Sequence, residues 1–191
     1  MNNAIVIGGG FGGMAASLRL RAKGYTVTVV DRCERLGGRA QVFEKDGFRH
    51  DAGPTVITAP FLFDELFQLF GKRREDYVRF VQLDPWYRFH FQDGETFDYG
   101  GTVEDTLREI RRLSPADADG YRSLLAQSKR IFDVGFTELS DQPFDAVSTM
   151  VEQIPELARL GCYRTVWQLV SKHLKDIRLR QAFSIPPLLV G

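Results

Sequence analysis

The chain has 191 residues, a hydrophobic content of 43% and a formal net charge of zero. This length allows one large domain or parts of two, and the balanced charge is not that of a nucleic-acid-binding protein. Cys33 and Cys162 lie far apart with no metal-ligand spacing. We therefore expect reduced thiols and a cytoplasmic location. The first predicted strand leaves no room for a signal peptide before it, and no apolar run is long enough to cross a bilayer.

A strand, a glycine-rich turn and a helix open the chain. The apolar run 4–7 predicts the strand, and the segment from Phe11 to Gly24 predicts the helix. In the turn between them, Gly8 allows a tight bend, Gly10 lets the backbone approach a pyrophosphate, and Gly13 lets the helix pack closely on the strand. The positive end of the helix dipole points at the same place, which favours a bound diphosphate.

An acidic residue follows the second predicted strand. The β-branched run Thr26–Val30 leads to Asp31, about 20 residues beyond the glycines, where a carboxylate accepts hydrogen bonds from ribose hydroxyls and repels a 2′-phosphate. The strand, the glycines, the helix and the acid together predict a dinucleotide site, and the alternative is an ordinary βαβ turn. Phe11, Gly12 and Arg32 are further candidate cofactor contacts.

A second glycine pair comes shortly after this acid. In Gly37-Gly38-Arg39, two residues without side chains bring the backbone close to a ligand, and an arginine fork binds phosphate oxygens. With this turn the chain resembles the superfamily of flavin-dependent amine oxidases and phytoene desaturases. The segment 47–58 is similar to the Gly-Phe-x-Phe-Asp-x-Gly-Pro-Thr segment of bacterial carotenoid desaturases. The resemblance implies places near the flavin for Gly53, Pro54 and Thr55.

The middle of the chain predicts a helix and a hairpin. Closely spaced apolar residues between Phe61 and Phe70 predict a buried helix that ends at Gly71. The runs 86–91 and 96–99 flank Asp93-Gly94, which predicts an antiparallel hairpin.

The remainder predicts helices. Thr102 with Asp105, and Ser114-Pro115 with Asp117, have the spacing of helix starts. We expect the helices that follow to be interrupted near Pro143 and Pro155.

The resemblance covers the whole chain and implies an α/β fold with three parts. These are a Rossmann-like FAD-binding core over residues 1–71, a β-hairpin segment of the substrate domain over 72–101, and a helical cap over 102–191. It also implies FAD-dependent desaturation of phytoene or a related carotene. The cofactor contacts would be Gly8, Gly10 and Gly13 at the pyrophosphate, Asp31 at the ribose, and Gly38 and Arg39 at the phosphates. Since the family continues past residue 191, we expect a truncated, N-terminal portion that is inactive alone.

A basic segment near the end bears on the location of the protein. Residues 156–180 carry six basic and two acidic side chains, interleaved with Leu160, Tyr163, Trp167, Leu169, Val170 and Leu174. Such a stretch lies on an anionic membrane surface, or it is a solvated helix with its apolar side in the core. Because the implied substrate is lipid-soluble, we expect peripheral contact with the inner face of the cell membrane.

Three other functions stay open from the sequence. One is a flavin oxidoreductase acting on another carotenoid or on an amine, the second is a nicotinamide dehydrogenase, and the third is a non-catalytic, membrane-associating fragment. His50, His90 and His173 have no metal-ligand spacing, so we expect no metal site. No catalytic acid or base is identifiable.

Overall fold

The computed structural model of the protein describes residues 2–53, 56–139 and 147–185. The chain divides into two compact units, unit 1 (Met1–Val81) and unit 2 (Gln82–Gly191). The functional parts predicted over 1–71, 72–101 and 102–191 stay predictions.

Unit 1 begins with the predicted βαβ arrangement. Strand β1 (Asn3–Ile7) leads to helix α1 (Phe11–Ala22) and then to strand β2 (Thr26–Val30). The two strands pair in parallel, with each residue of β1 opposite its partner in β2 from end to end. Parallel neighbours require a crossover connection, and α1 supplies it. Gly24 follows the helix with a φ of 89°, the left-handed conformation that commonly ends helices.

A short hairpin follows that we did not predict. Strands β3 (Val42–Lys45) and β4 (Phe48–Asp51) are antiparallel and are joined by Asp46 and Gly47. Both turn residues have positive φ, 52° and 80°, as a type I′ turn requires. Asp-Gly between two short strands is a strong hairpin signal, so this hairpin could have been predicted from the sequence.

Helix α2 (Pro60–Gln68) is present as predicted, but its predicted burial is wrong. None of its side chains is fully buried, and Phe61 and Leu62 are 50% and 39% exposed. The ring of Phe63 lies 5.6 Å from that of Phe11 and 5.5 Å from that of Phe80, and Glu65 is paired with Arg19. The rest of its apolar side faces an open cleft.

The sheet of unit 1 also exposes apolar side chains. Ile5 and Ile7 of β1 are 71% and 88% exposed, and Val30 of β2 is 49% exposed. Parallel sheets ordinarily have both faces covered. Among its described residues, unit 1 therefore leaves much of its apolar surface in contact with solvent.

Unit 2 combines the predicted hairpin with helices. Strands β5 (Tyr87–His90) and β6 (Thr96–Tyr99) pair antiparallel around Gly94, which has a φ of 85°. The helices are α3 (Val103–Leu113), α4 (Ala118–Phe132), α5 (Val147–Leu160), α6 (Val166–His173) and α7 (Ile177–Phe183). A π-helical segment, Asp133–Glu138, follows α4.

An aromatic core holds unit 2 together. The ring of Phe183 lies within 5.7 Å of the rings of Phe97, Tyr99 and Tyr121. Burial raises the pKa of Tyr121 to about 12, so its hydroxyl stays protonated. The buried residues of this core are Phe97, Leu107, Ile110, Tyr121, Leu124, Val170, Leu174, Leu179 and Ala182.

The helix start predicted at Ser114-Pro115 with Asp117 is confirmed, because a 3-10 turn over Pro115–Asp117 leads directly into α4, and Asp117 is 1% exposed. One predicted feature of these helices needs correction. Pro155 does not interrupt its helix but lies inside α5, since an interior proline removes one backbone hydrogen bond and bends a helix without always ending it. Pro143 lies outside the described residues.

The predicted start of α3 is confirmed in detail. The hydroxyl of Thr102 accepts a hydrogen bond from the N–H of Asp105, and the Asp105 carboxylate accepts one from the N–H of Thr102 at 2.9 Å. Hydrogen bonds from Thr102 lower the pKa of Asp105 from 3.8 to about 2. This reciprocal pair satisfies two donors that the helix leaves unpaired.

The capping carboxylate makes stability depend on pH. Because the folded-state pKa is depressed, the contribution of Asp105 is fully present above pH 3.8 and is lost as the pH falls towards 2. We expect Asp105→Asn to lower the melting temperature of unit 2 by a few degrees near neutral pH, and the difference from wild type to shrink through this window. Asp119→Asn, which removes an exposed carboxylate from α4, is the control. A difference that stays constant down to pH 2 would contradict this role.

No helix in the described ranges is long and apolar enough to cross a membrane.

Candidate cofactor site

The first turn of unit 1 is an open helix N-terminus. Gly8 has a φ of 103°, and its N–H donates to the carbonyl of Val30 at 2.7 Å, which fixes the turn beside β2. Gly10 precedes α1 in an extended conformation, and neither a side-chain cap nor an acidic residue occupies the first turn of the helix. Its leading N–H groups and the positive end of its dipole therefore suit an anionic ligand.

Gly13 has the packing function that its spacing predicts. A Cβ atom at this position would lie 1.8 Å from the carbonyl oxygen of Gly8 and 3.5 Å from a methyl group of Val6. Only a residue without a side chain lets α1 approach β1 so closely. A Cβ atom at Gly12, the preceding residue on the helix, would meet nothing within 4 Å.

Asp31 lies against the same turn. One oxygen of its carboxylate accepts the N–H of Gly9 at 2.6 Å, and the other accepts the N–H of Cys33 at 2.8 Å. The hydrogen bonds from Cys33 and then Gly9 lower the pKa of Asp31, so the group is a carboxylate at neutral pH. A carboxylate offers about four lone-pair sites, so further donors such as ribose hydroxyls can still bind it.

The second glycine pair lies directly beside the first turn. The N–H of Gly37 donates to the carbonyl of Gly9 at 2.8 Å, and Gly10 and Gly37 form a parallel bridge. A Cβ atom at Gly38 would lie 3.0 Å from the Cα atom of Gly10. The structure therefore brings together two glycine motifs that are about 28 residues apart in sequence.

Gly9 is a site residue that we did not predict. It is buried, and a Cβ atom there would lie 2.3 Å from a methyl carbon of Leu36 and 3.3 Å from the Asp31 carboxylate. Its carbonyl and N–H connect the second glycine pair to the acid. The run of three consecutive glycines could have indicated it, but the dinucleotide-binding spacing of Gly8, Gly10 and Gly13 assigns no role to Gly9.

The segment that contains Gly53 lies against the Gly37-Gly38-Arg39 turn. A Cβ atom at Gly53 would lie 2.1 Å from the carbonyl oxygen of Arg39, and the N–H of Ala52 donates to the carbonyl of Gln41 at 2.8 Å. The side chains of Arg32 and Arg39 are exposed and so are accessible to an anion. Pro54 and Thr55 lie outside the described residues.

These contacts place the described candidate residues in one part of unit 1. Gly8, Gly10, Phe11, Gly12 and Gly13 form the turn and the start of α1, Asp31 and Arg32 follow β2, and Gly38, Arg39 and Gly53 adjoin them. Their contact with a cofactor stays a prediction. Within the described ranges no group of His, Cys, Asp and Glu residues has the arrangement of a metal site.

Comparisons with known proteins place this arrangement in a wider family. Residues 6–72 match the NAD(P)-binding Rossmann-like domain. The whole chain is 41% identical to the lycopene-forming phytoene desaturase of Pseudescherichia vulneris, covering 39% of that protein. It is 38% identical to the neurosporene-forming phytoene desaturase of Rhodobacter capsulatus, covering 36% of it. The chain thus spans less than two fifths of the length of these relatives.

A solved structure has a similar fold. Putrescine oxidase bound to putrescine matches 96% of this chain and 36% of its own with a TM-score of 0.54, at 21% identity. The predicted Rossmann-like α/β fold is confirmed, and the chain is a homologue of bacterial phytoene desaturases, as its motifs predicted. The dinucleotide-binding domain and these homologues together indicate FAD as the cofactor.

Proposed function

We propose that this chain is the FAD-binding portion of an oxidoreductase that desaturates phytoene or a related carotene. The observation that carries the proposal is the similarity to phytoene desaturases along all 191 residues. The contact between the two glycine motifs supports it, because it brings the Gly37-Gly38-Arg39 turn of the superfamily beside the first glycine-rich turn and the start of α1.

The described residues fit this cofactor. The free N–H groups at the start of α1 would bind the pyrophosphate, and Asp31 would accept the ribose hydroxyls. The backbone of Gly38 and the exposed guanidinium of Arg39 would bind phosphate oxygens from the second turn. When bound, FAD supplies an acceptor for hydride taken from the hydrocarbon. The carboxylate of Asp31 also disfavours cofactors that carry a 2′-phosphate.

Loss of the acid should weaken cofactor binding. We expect Asp31→Ala to reduce the affinity for FAD by about 10- to 100-fold, because charge-assisted hydrogen bonds to the ribose are lost. Isothermal titration with FAD measures the change, and mass spectrometry of the released ligand distinguishes FAD from NAD.

Asp46→Asn is the control for this variant. It alters an exposed carboxylate in the β3–β4 turn of the same unit, away from the glycine motifs. Equal FAD affinity in the Asp31 and Asp46 variants would contradict the proposal that Asp31 binds the ribose. A released nicotinamide dinucleotide would overturn the flavin assignment.

A chimaera tests the proposed reaction. The residues of the Pseudescherichia vulneris enzyme that match this chain are replaced by residues 1–191, and carotenoids are extracted from cells that make phytoene. We expect products with a longer conjugated system. A chimaera that carries flavin but leaves phytoene unchanged would overturn the desaturase proposal, and an accompanying test with amines would then examine the alternative substrate class.

We also propose that the protein contacts an anionic membrane surface peripherally. Tyr163, Trp167 and Ile177 are 72%, 42% and 53% exposed, while Val170 and Leu174 of the same segment lie in the core. The guanidinium of Arg164 lies 4.7 Å from the ring of Tyr163, so cationic and aromatic groups are adjacent on this surface. Exposed aromatic rings beside basic side chains favour the headgroup region of an anionic bilayer.

This contact has its own test. We expect the double variant Tyr163→Ala/Trp167→Ala to bind vesicles containing phosphatidylserine about tenfold more weakly, because two exposed rings no longer enter the interface. Leu125→Ala, exposed on α4, is the control. Cosedimentation measures binding, and unchanged binding in the double variant would contradict this surface.

A further inference from the structure

Helices α1 and α2 of unit 1 flank an apolar cleft of about 740 Å³. This volume is typical of small-molecule sites, which occupy roughly 300–1,000 Å³. The cleft follows α1 from Phe11 to Arg21, a distance of about 15 Å at the helical rise per residue. An elongated slot of this kind suits a flexible chain. Its apolar lining includes Met14, Ala15, Leu18, Leu62, Leu66 and Phe70.

The lining is exposed to solvent. Phe11 is 48% exposed, Leu18 38%, and Leu62 and Phe70 39% each. Neither helix has a fully buried side chain. Removing this apolar surface from water is favourable, so the cleft favours a hydrocarbon occupant.

Three cationic side chains, Arg19, Arg21 and Lys72, also line the cleft. Arg19 is paired with Glu65 at 2.7 Å. In contrast, Arg21 donates to the carbonyl of Tyr25 at 3.3 Å, and Lys72 donates to the hydroxyl of Tyr77. Both of these acceptors are uncharged, and the hydrogen bond to Tyr77, together with the nearby carboxylate of Asp76, raises the pKa of Lys72, so both side chains stay cationic.

We propose that the cleft binds a free long-chain fatty acid, with its hydrocarbon chain between α1 and α2 and its carboxylate at Arg21 and Lys72. The apolar lining accounts for the chain, and the cations account for an anionic head group. A carotene has no such head group, and FAD has no long hydrocarbon chain. The proposed site is therefore additional to the function proposed above.

Displacement of cis-parinaric acid, a naturally fluorescent fatty acid, tests the proposal on the purified protein. Unlabelled fatty acids are added below their micelle concentrations and without vesicles. We expect saturable binding of hexadecanoate, with affinity that rises along the series decanoate, dodecanoate and tetradecanoate by up to about fourfold per methylene. Hexadecanol should compete at least about tenfold more weakly, because it has no charge for the cations.

Two variants examine the two parts of the site. Leu66→Trp fills the cleft and should weaken hexadecanoate and hexadecanol alike, whereas Leu69→Trp places the same ring on a side chain outside the lining. The double variant Arg21→Glu/Lys72→Glu should weaken hexadecanoate about tenfold or more and leave hexadecanol unchanged. Its control is Arg49→Glu/Arg73→Glu, which changes net charge equally at exposed positions of the same unit.

The outcomes separate this site from the cofactor site. Bound flavin and far-UV circular dichroism are measured on every sample, so loss of FAD or of folding is distinguished from loss of fatty acid. Absence of saturable binding by the folded protein would overturn the proposal. Equal competition by hexadecanoate and hexadecanol, or wild-type affinity in the Leu66 or the Arg21/Lys72 variant, would also overturn it.

Discussion

Alanine at position 13 is expected to abolish FAD binding and to lower the free energy of unfolding of unit 1 by about 3 kcal/mol. The added Cβ atom would lie 1.8 Å from the carbonyl oxygen of Gly8, which is backbone and cannot rotate away. The N–H of Gly8 donates a hydrogen bond to the carbonyl of Val30, so the turn is fixed to β2 and cannot move away from the added atom. Helix α1 would have to move away from β1, and its N-terminal N–H groups would move with it.

The neighbouring glycine provides the control for this change. In Gly12→Ala the new methyl group meets nothing within 4 Å, and alanine is a better helix former than glycine by up to about 1 kcal/mol. We expect this variant to unfold at the same urea concentration as wild type or at a higher one. Equal losses of stability in the two variants would contradict the packing explanation for Gly13. Urea unfolding measures the stability, and flavin absorbance measures the bound FAD.

Alanine at position 117 is expected to lower the free energy of unfolding of unit 2 by about 3 kcal/mol. The Asp117 side chain is buried, and its two oxygens accept the N–H groups of Lys175 at 2.7 Å and Asp176 at 2.8 Å. The carboxylate thereby joins the start of α4 to the segment between α6 and α7. Its removal leaves two backbone donors without this acceptor.

Two further variants test that account. Asp117→Asn retains one carbonyl oxygen as an acceptor and should fall between wild type and Asp117→Ala. Asp119→Ala removes an exposed carboxylate from the first turn of α4 and should change the free energy of unfolding by only a few tenths of a kcal/mol. If Asp117→Ala and Asp119→Ala unfold alike in urea, the bridging role is wrong.

Local signals were sufficient to predict the βαβ portion of unit 1. The glycine spacing, the apolar runs and Asp31 lie within one short segment, and their geometry follows from the tight turn and the parallel crossover. The capping box at Thr102 and the hairpin around Gly94 are local in the same sense. The sequence could place these elements because each depends on near neighbours.

Features that depend on distant contacts were missed. The burial of Asp117 arises from bonds to residues 58 and 59 positions further along the chain, and no local pattern indicates them. The spacing of apolar residues in α2 predicted a helix correctly but could not show that its apolar side faces an open cleft. The close approach of Leu36 to Gly9 likewise arises only in the folded chain, and no local pattern indicates it.

The uncovered flank of β1 has a practical consequence for handling the protein. Within the described residues β1 is an edge strand of a two-stranded sheet, and its Ile7 is 88% exposed. At high concentration we expect molecules to associate through this edge and the solution to become turbid. Dilute storage with a mild surfactant should delay this clouding. A lysine at position 7 should suppress it further, because a charge on an edge strand opposes pairing with the next molecule.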